Sequence, residues 1–327
     1  MKISSVMLLF VSTSVLCSTI LPRAGAEDAS TAMVRSLLTK AGLMYGVAAL
    51  PHCSDGNLAL ALAQNSKLLV HAMAPDRTST DAITHLADEE GLLSRSLYVE
   101  QGSPAAMPYA DNLVDLLLIA DASDATLGSL SQKELLRVLA PWRGCAIIGR
   151  AKCYADGGAL TVAALETWSK GFLPAHADIW SDGTGIWARI SKPALDGADP
   201  WSHRYHGPNN DANSIDTTLK TPLATQWLGL PFHEGYWGTA MVGAGGRLFT
   251  LAASSHYGWT VLQKAERLTV RSAYNGAVLW EREFEAKPGS SSQLAYDCTR
   301  CCMVATPERL YLIDGDGVLM LDAETGA

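Results

Sequence analysis

Four short stretches carry side chains that could do chemistry. The first is P-H-C-S-D-G (51-56), a tight polar turn between the apolar run V-A-A-L (47-50) and N-L-A-L-A-L-A (57-63), which has helical character. A nucleotide-binding turn at such a step is rich in glycine, because a bare backbone can approach the ligand closely. Here His52 and Ser54 stand where two glycines are expected, and Gly56 alone keeps its place. The second stretch, D-C-T-R-C-C (297-302), offers Cys298 and Cys301. A tetrahedral metal site needs four ligands, and no second C-x-x-C follows. No histidine follows Cys301 directly, so haem attachment fails as well. His203 and His206, the third, could share a metal only on a helix, which the Asn, Gly and Pro around them disfavour. In the fourth, P-F-H-E-G-Y-W (231-237), His233 and Glu234 form an acid/base pair or lie on a solvated loop between strands. No G-x-S-x-G motif announces a nucleophilic serine.

The elements that must position these residues change character along the chain. Residues 30-195 alternate apolar runs with helical stretches: L-L-V-H-A-M (68-73), D-A-I-T-H-L-A-D-E-E-G-L-L (81-93), L-V-D-L-L-L-I-A-D (113-121), K-E-L-L-R-V-L-A (133-140) and C-A-I-I-G (145-149). Short strands between helices predict βαβ units and a mainly parallel, doubly wound sheet covered on both faces. After Pro193, Gly, Asn, Trp and Pro punctuate short β-type runs, and no helical period is sustained.

The second half repeats itself. M-V-G-A-G-G-R-L-F-T-L (241-251) aligns with M-V-A-T-P-E-R-L-Y-L-I (303-313), each a strand, a turn and a strand. Downstream, S-A-Y-N-G-A-V-L-W (272-280) aligns with D-A-E-T-G-A (322-327), an extra loop around 256-267 absorbing the difference in offset. Repeats of several short strands are the signature of β-propeller blades, in which the glycine permits a tight turn and Trp280 can wedge between neighbours. A closed ring needs on the order of 160 to 400 residues. The chain from Trp201 onward is shorter, so the expectation is an incomplete propeller of one to two blades with a raw C-terminal edge.

Composition bounds the function. The 327 residues are 48% hydrophobic and 18% charged, enough for real cores, and 25 Lys and Arg against 33 Asp and Glu give a formal charge of −8. With no basic block, a nucleic-acid surface has no support. Residues 1-26 read as a secretory signal: Lys2, an apolar run from Val6 to Leu16, and Ala24-Gly25-Ala26 as a cleavage site before Glu27. No later stretch is apolar enough to span a membrane, so the expectation is a secreted or periplasmic protein. Six cysteines, at 53, 145, 153, 298, 301 and 302, follow the signal, as disulfides or buried thiols with no pairing legible.

Two resemblances complete the reading. P-Y-A-D-N-L-V-D-L-L-L-I-A-D (108-121) and E-L-L-R-V-L-A-P-W-R-G (134-144) make residues 40-150 resemble a class I S-adenosylmethionine (SAM)-dependent methyltransferase. A-Y-N-G-A-V-L-W and L-D-A-E-T-G-A make residues 200-327 resemble the pyrroloquinoline-quinone (PQQ)-like β-propeller repeat. The order resembles a group of exported planctomycete-type proteins joining the two, with D-P-W-S-H-R-Y-H-G-P-N-N-D-A-N-S-I-D (199-216) at the junction. The resemblance implies three domains: a signal peptide at 1-26, a methyltransferase-like, Rossmann-like α/β domain at 27-195, and truncated PQQ-like repeats at 196-327.

The first resemblance also implies where a cofactor would sit. His52, Ser54 and Gly56 occupy the three glycine places. The acidic residue that would bind the ribose hydroxyls falls at Ala74, with Asp76 two residues late, and the adenine acceptor falls at Ser103. Three determinants on one ligand surface are weakened together while the apolar strands persist. The expectation is therefore a secreted binding or scaffold protein whose α/β domain binds no cofactor, with a protein or cell-envelope partner on the propeller. The alternatives are an active SAM-dependent methyltransferase using Asp55, Gly56 and Asp76, and a quinoprotein-type oxidoreductase fragment. No catalytic residue is identified.

Overall fold

The computed structural model describes residues 29-154, 158-172, 176-229, 239-253, 265-285, 303-314 and 317-327. Residues 1-26, expected to be a secretory signal, and His233, Glu234, Cys298, Cys301 and Cys302 lie outside the described residues.

The first half is a seven-stranded sheet in the order β3-β2-β1-β4-β5-β7-β6. Its strands are β1 (Tyr45–Leu50), β2 (Lys67–Ala74), β3 (Leu97–Gln101), β4 (Leu116–Ile119), β5 (Cys145–Ala151), β6 (His176–Ser181) and β7 (Gly185–Ser191). β1 to β5 pair in parallel, and β7 runs against both β5 and β6. The apolar runs read from the sequence lie in these strands. β4, Leu-Leu-Leu-Ile, is buried throughout, as a central parallel strand must be.

Helices α1 (Ala29–Ala41), α2 (Gly56–Asn65) and α3 (Arg77–Glu89) cover one face, packing on Ala48, Leu50, Leu68, Val70 and Ala72. α4 (Asp124–Leu127), α5 (Gln132–Val138) and α6 (Val162–Ser169) cover the other, packing on Leu117, Ile119, Ala146, Ile148 and Ile190. Coverage of both faces was expected throughout, and here the structure differs. The connection from β3 to β4 holds no helix, because Gly102, Pro104, Pro108 and the Asp111-Asn112 turn break it up. Leu69 and Tyr98, on β2 and β3, are consequently 42% and 41% exposed on that side.

The second half forms two separate antiparallel meanders. The four-stranded one has the order β11-β10-β9-β8, from β8 (Thr239–Ala244), β9 (Arg247–Ala253), β10 (Ala265–Ser272) and β11 (Val278–Glu285). The three-stranded one comprises β12 (Met303–Ala305), β13 (Arg309–Asp314) and β14 (Gly317–Asp322). Val242, Phe249, Leu251, Leu268 and Val270 of the first pack against Met303, Leu310, Leu312 and Leu321 of the second. Among the described residues β14 pairs on one side alone, with β13. A propeller is not thereby established.

The repeated turns have the same construction. Gly276 and Gly326 take φ of +73° and +74°, the left-handed region that glycine enters without strain. Trp280 lies against Gly326 and its indole N–H donates to the Ala323 carbonyl (3.2 Å), so it joins the first meander to the second. Trp227, which the sequence reading passed over, lies against Gly276 and donates to the Ala273 carbonyl (3.0 Å).

These turns also fasten the meanders to the α/β sheet through a buried charge network. Asp115, fully buried just before β4, accepts hydrogen bonds from the Val47 N–H (2.9 Å), Arg143 Nη1 (3.1 Å) and Asn275 Nδ2 (2.6 Å). Arg143 Nη2 continues to Glu324 Oε1 (3.0 Å), whose carboxylate also takes Arg247. Asn275 and Glu324 sit in the two equivalent turns. Burial raises the Asp115 carboxyl above its usual range even with Arg143 beside it. Burial pushes Glu324 in the same direction, but Arg143 and Arg247 outweigh it and its net shift is downward.

Candidate functional site

The turn after β1 folds as a strand-to-helix step. Cys53 N–H donates to the Met73 carbonyl (2.9 Å), which fastens the turn to β2. Asp55 caps α2, accepting from the Asn57 N–H (2.9 Å). Gly56 opens that helix, where an added Cβ would lie 3.0 Å from Leu86 Cδ1, so its small size serves the packing of α2 on α3.

The C-terminal ends of β1 and β4 form the crevice where ligands bind in open α/β sheets. Asp121, two residues past β4, reaches across it. Its Oδ2 lies 2.8 Å from His52 Nδ1 and 3.4 Å from Ser54 Oγ. Tyr154 OH donates to Asp55 Oδ2 (3.1 Å) from beyond β5. His52, Cys53, Ser54, Asp55, Leu58, Ala120, Asp121 and Tyr154 enclose a cavity of about 10 Å³. That is about the room one water needs, whereas pockets for organic ligands run from about 300 to 1,000 Å³. His52 and Ser54, which stand where a glycine turn was expected, both reach the Asp121 carboxylate.

The other cofactor positions inferred from the sequence have local roles. Ala74 ends β2 fully buried, and its carbonyl accepts from the Gly102 N–H (2.9 Å). Asp76 caps α3, with Oδ1 accepting from the Ser79 N–H (2.8 Å), and this hydrogen bond holds its carboxyl below the usual range. Ser103 Oγ accepts from the Ala105 N–H (3.3 Å), closing a turn. The structure therefore gathers His52, Ser54 and Asp55 at one place and leaves Asp76 and Ser103 at others. Asp121 and Tyr154 were not assigned to the site, although Asp121 ends the quoted strand L-L-L-I-A-D.

Cys53 is buried, and desolvation pushes its thiol up to about 12, so it is no nucleophile near neutral pH. Cys145 is likewise a buried thiol. His203 and His206 do not converge on a metal. His206 Nε2 is 2.6 Å from Asp199 Oδ2, and His203 Nδ1 is 2.9 Å from Ser202 Oγ. No helix among the described residues is long and apolar enough to cross a membrane.

The hydrogen bond that His52 makes to the Asp121 carboxylate raises its pKa against the opposing effect of burial. A raised histidine pKa stabilises the fold below the unfolded value of about 6.5, and this stabilisation is lost as pH rises through the folded value. His52→Ala should therefore lower stability near pH 5.5 by less than about 1 kcal/mol, because the pair is partly exposed, and leave it unchanged near pH 8.5. Urea unfolding at the two pH values checks this, and equal losses at both would contradict it.

No protein-family model matches the chain. No curated protein matches it either. Among solved structures it is similar to a SAM-dependent methyltransferase from Methanococcus maripaludis described as putative, at 15% identity and a TM-score of 0.45, covering 51% of this chain and 86% of that one. It is similar to the [4+2]-cyclase SpnF at 17% identity and 0.41, covering 53% and 85%. It is similar, too, to a SAM-dependent methyltransferase from Aquifex aeolicus at 19% identity and 0.39, covering 48% and 89%. Likenesses this distant say nothing of activity.

Proposed function

We propose that the chain is an exported scaffold protein in which a methyltransferase-like α/β domain has ceased to bind SAM and propeller-type repeats engage a partner protein. The observation that carries the reading is the closed crevice. His52 and Ser54 meet Asp121 across the strand ends and leave about 10 Å³. Asp55, Gly56 and Asp76, on which an active methyltransferase would depend, are engaged as helix caps and in helix packing. Export agrees with this reading, since SAM is made in the cytoplasm.

The repeat supports the partner. In the first meander Val242, Phe249, Leu251, Leu268 and Val270 are buried against the second. Their sequence equivalents, Val304, Tyr311, Ile313, Val318 and Met320, form the opposite face of the second meander, where Ile313, Val318 and Met320 are 45%, 68% and 56% exposed. An apolar sheet face of this composition is suited to packing against another sheet.

The test is thermal melting of the full chain with about 1 mM S-adenosylhomocysteine, the product a working methyltransferase would release. A site with a dissociation constant near 10 µM would stabilise the fold by about 2.7 kcal/mol, a shift of several degrees. The expected shift is none, and a shift of several degrees would restore the enzyme reading.

A further inference from the structure

The face of β1 to β3 that no helix among the described residues covers holds a second polar cluster, unrelated to the crevice. Side chains alternate along each strand, so Val47, Leu69, His71, Tyr98 and Glu100 project to one side. Val47 stands beside Leu69, and His71 beside Tyr98. With Leu93 and Ser94 at the rim, they line a groove of about 380 Å³, within the range of small-molecule sites.

The polar end of the groove is held from behind. His71 Nδ1 lies 2.7 Å from Tyr109 OH, and His71 Nε2 lies 3.4 Å from Glu100 Oε1. The Glu100 carboxylate beside Nε2 favours a proton on that nitrogen, which leaves Nδ1 to accept from the Tyr109 hydroxyl. Burial raises the Tyr109 pKa, so the phenol has that proton to give. Burial lowers the His71 pKa, which leaves the ring neutral near pH 7. Among the described residues no Lys or Arg forms an ion pair with Glu100, so its charge beside an apolar wall lacks a cation. The wall itself is fixed. Ser94 is a non-glycine residue at φ +59°, and its carbonyl accepts from Tyr98 OH (3.1 Å), pinning the ring. Strain of this kind, polar groups with displaced pKa values and a concave apolar surface together mark a binding site.

We propose that this groove binds a small primary amine with an apolar or aromatic tail, its ammonium on Glu100 and against the Tyr98 ring, its tail along Val47, Leu69 and Leu93. The ammonium supplies the missing cation through a charge-assisted hydrogen bond and a cation–π contact. The tail covers part of a parallel-sheet face that no helix among the described residues shields. This site is independent of the closed crevice and stands whether or not SAM binds there.

The experiment is calorimetric titration of the full chain with 2-phenylethylamine, 2-phenylethanol and 3-phenylpropionate at about pH 7.5, where His71 is neutral. The amine should bind saturably, the alcohol at least about tenfold more weakly, and the carboxylate not at all. Glu100→Gln, on a half-exposed side chain, should leave melting unchanged and erase the preference for the amine over the alcohol. In the native chain the amine should also shift the His71 ring resonances. No saturable amine binding up to about 10 mM, equal binding of amine and alcohol by the native chain, or a preference for the amine that survives Glu100→Gln would each overturn the proposal.

Discussion

Replacing Arg143 by Met should destabilise the chain by about 3 to 5 kcal/mol, because it strands a buried carboxylate. Asp115 is fully buried, and Arg143, itself 4% exposed at its side chain, is its cationic partner. Without the guanidinium, the hydrogen bonds from the Val47 N–H and Asn275 remain, but the charge is uncompensated. Met keeps much of the volume of the arginine stem, so the loss reports charge rather than a cavity. Glu324 loses a partner at the same time, which loosens the second meander from the α/β sheet. Urea unfolding followed by tryptophan fluorescence measures the loss. A change below about 1 kcal/mol would mean that the network is solvated and does not fasten the two halves together. The network also has a pH signature. The lowered pKa of Glu324 gives stability that is present above its unfolded value of about 4.5 and lost as pH falls through the folded one. The raised pKa of Asp115 acts in the opposite sense, its charged form being the costly one at neutral pH.

Gly46→Ala should cost more than about 3 kcal/mol by a different route to the same carboxylate. Gly46 sits at φ +121°, where a Cβ is strained, and an added Cβ would come within 2.0 Å of Asp115 Oδ2. That oxygen is held by the Val47 N–H and Asn275, so it cannot move aside without breaking both bonds. Because Gly46 and Arg143 act on one group, the double variant should lose less than the sum of the two. Additive losses in the same unfolding assay would contradict a shared cause.

The parts of the fold legible in the sequence are those with a local physical cause. Continuous apolar runs marked β1, β2, β4 and β5; in β4 and β5 this is because strands buried on both faces have no polar side to show. The glycine turns at 276 and 326 were legible as a repeat because a left-handed residue admits few substitutes. β3 was not singled out, since Tyr98 and Glu100 point to an open face and, with Gln101 at the strand end, break the apolar run. Trp227 escaped notice because it plays the part of Trp280 from outside any strand. The charge network was illegible in principle: Asp115, Arg143, Asn275 and Glu324 meet across as many as 181 positions. The same holds in smaller measure for the crevice. That His52 and Ser54 stand where glycines were expected was plain, but that His52 would be held by Asp121 depends on β1 and β4 lying side by side.

The measurement that bears most directly on the account is isothermal titration of SAM into the full chain at concentrations up to about 5 mM. With His52 and Ser54 closed onto Asp121 and no acid at Ala74 to take the ribose, the expected result is no saturable heat. Saturable binding in the micromolar range would show that the crevice opens, and would contradict the reading of this domain as a fold that has outlived its cofactor.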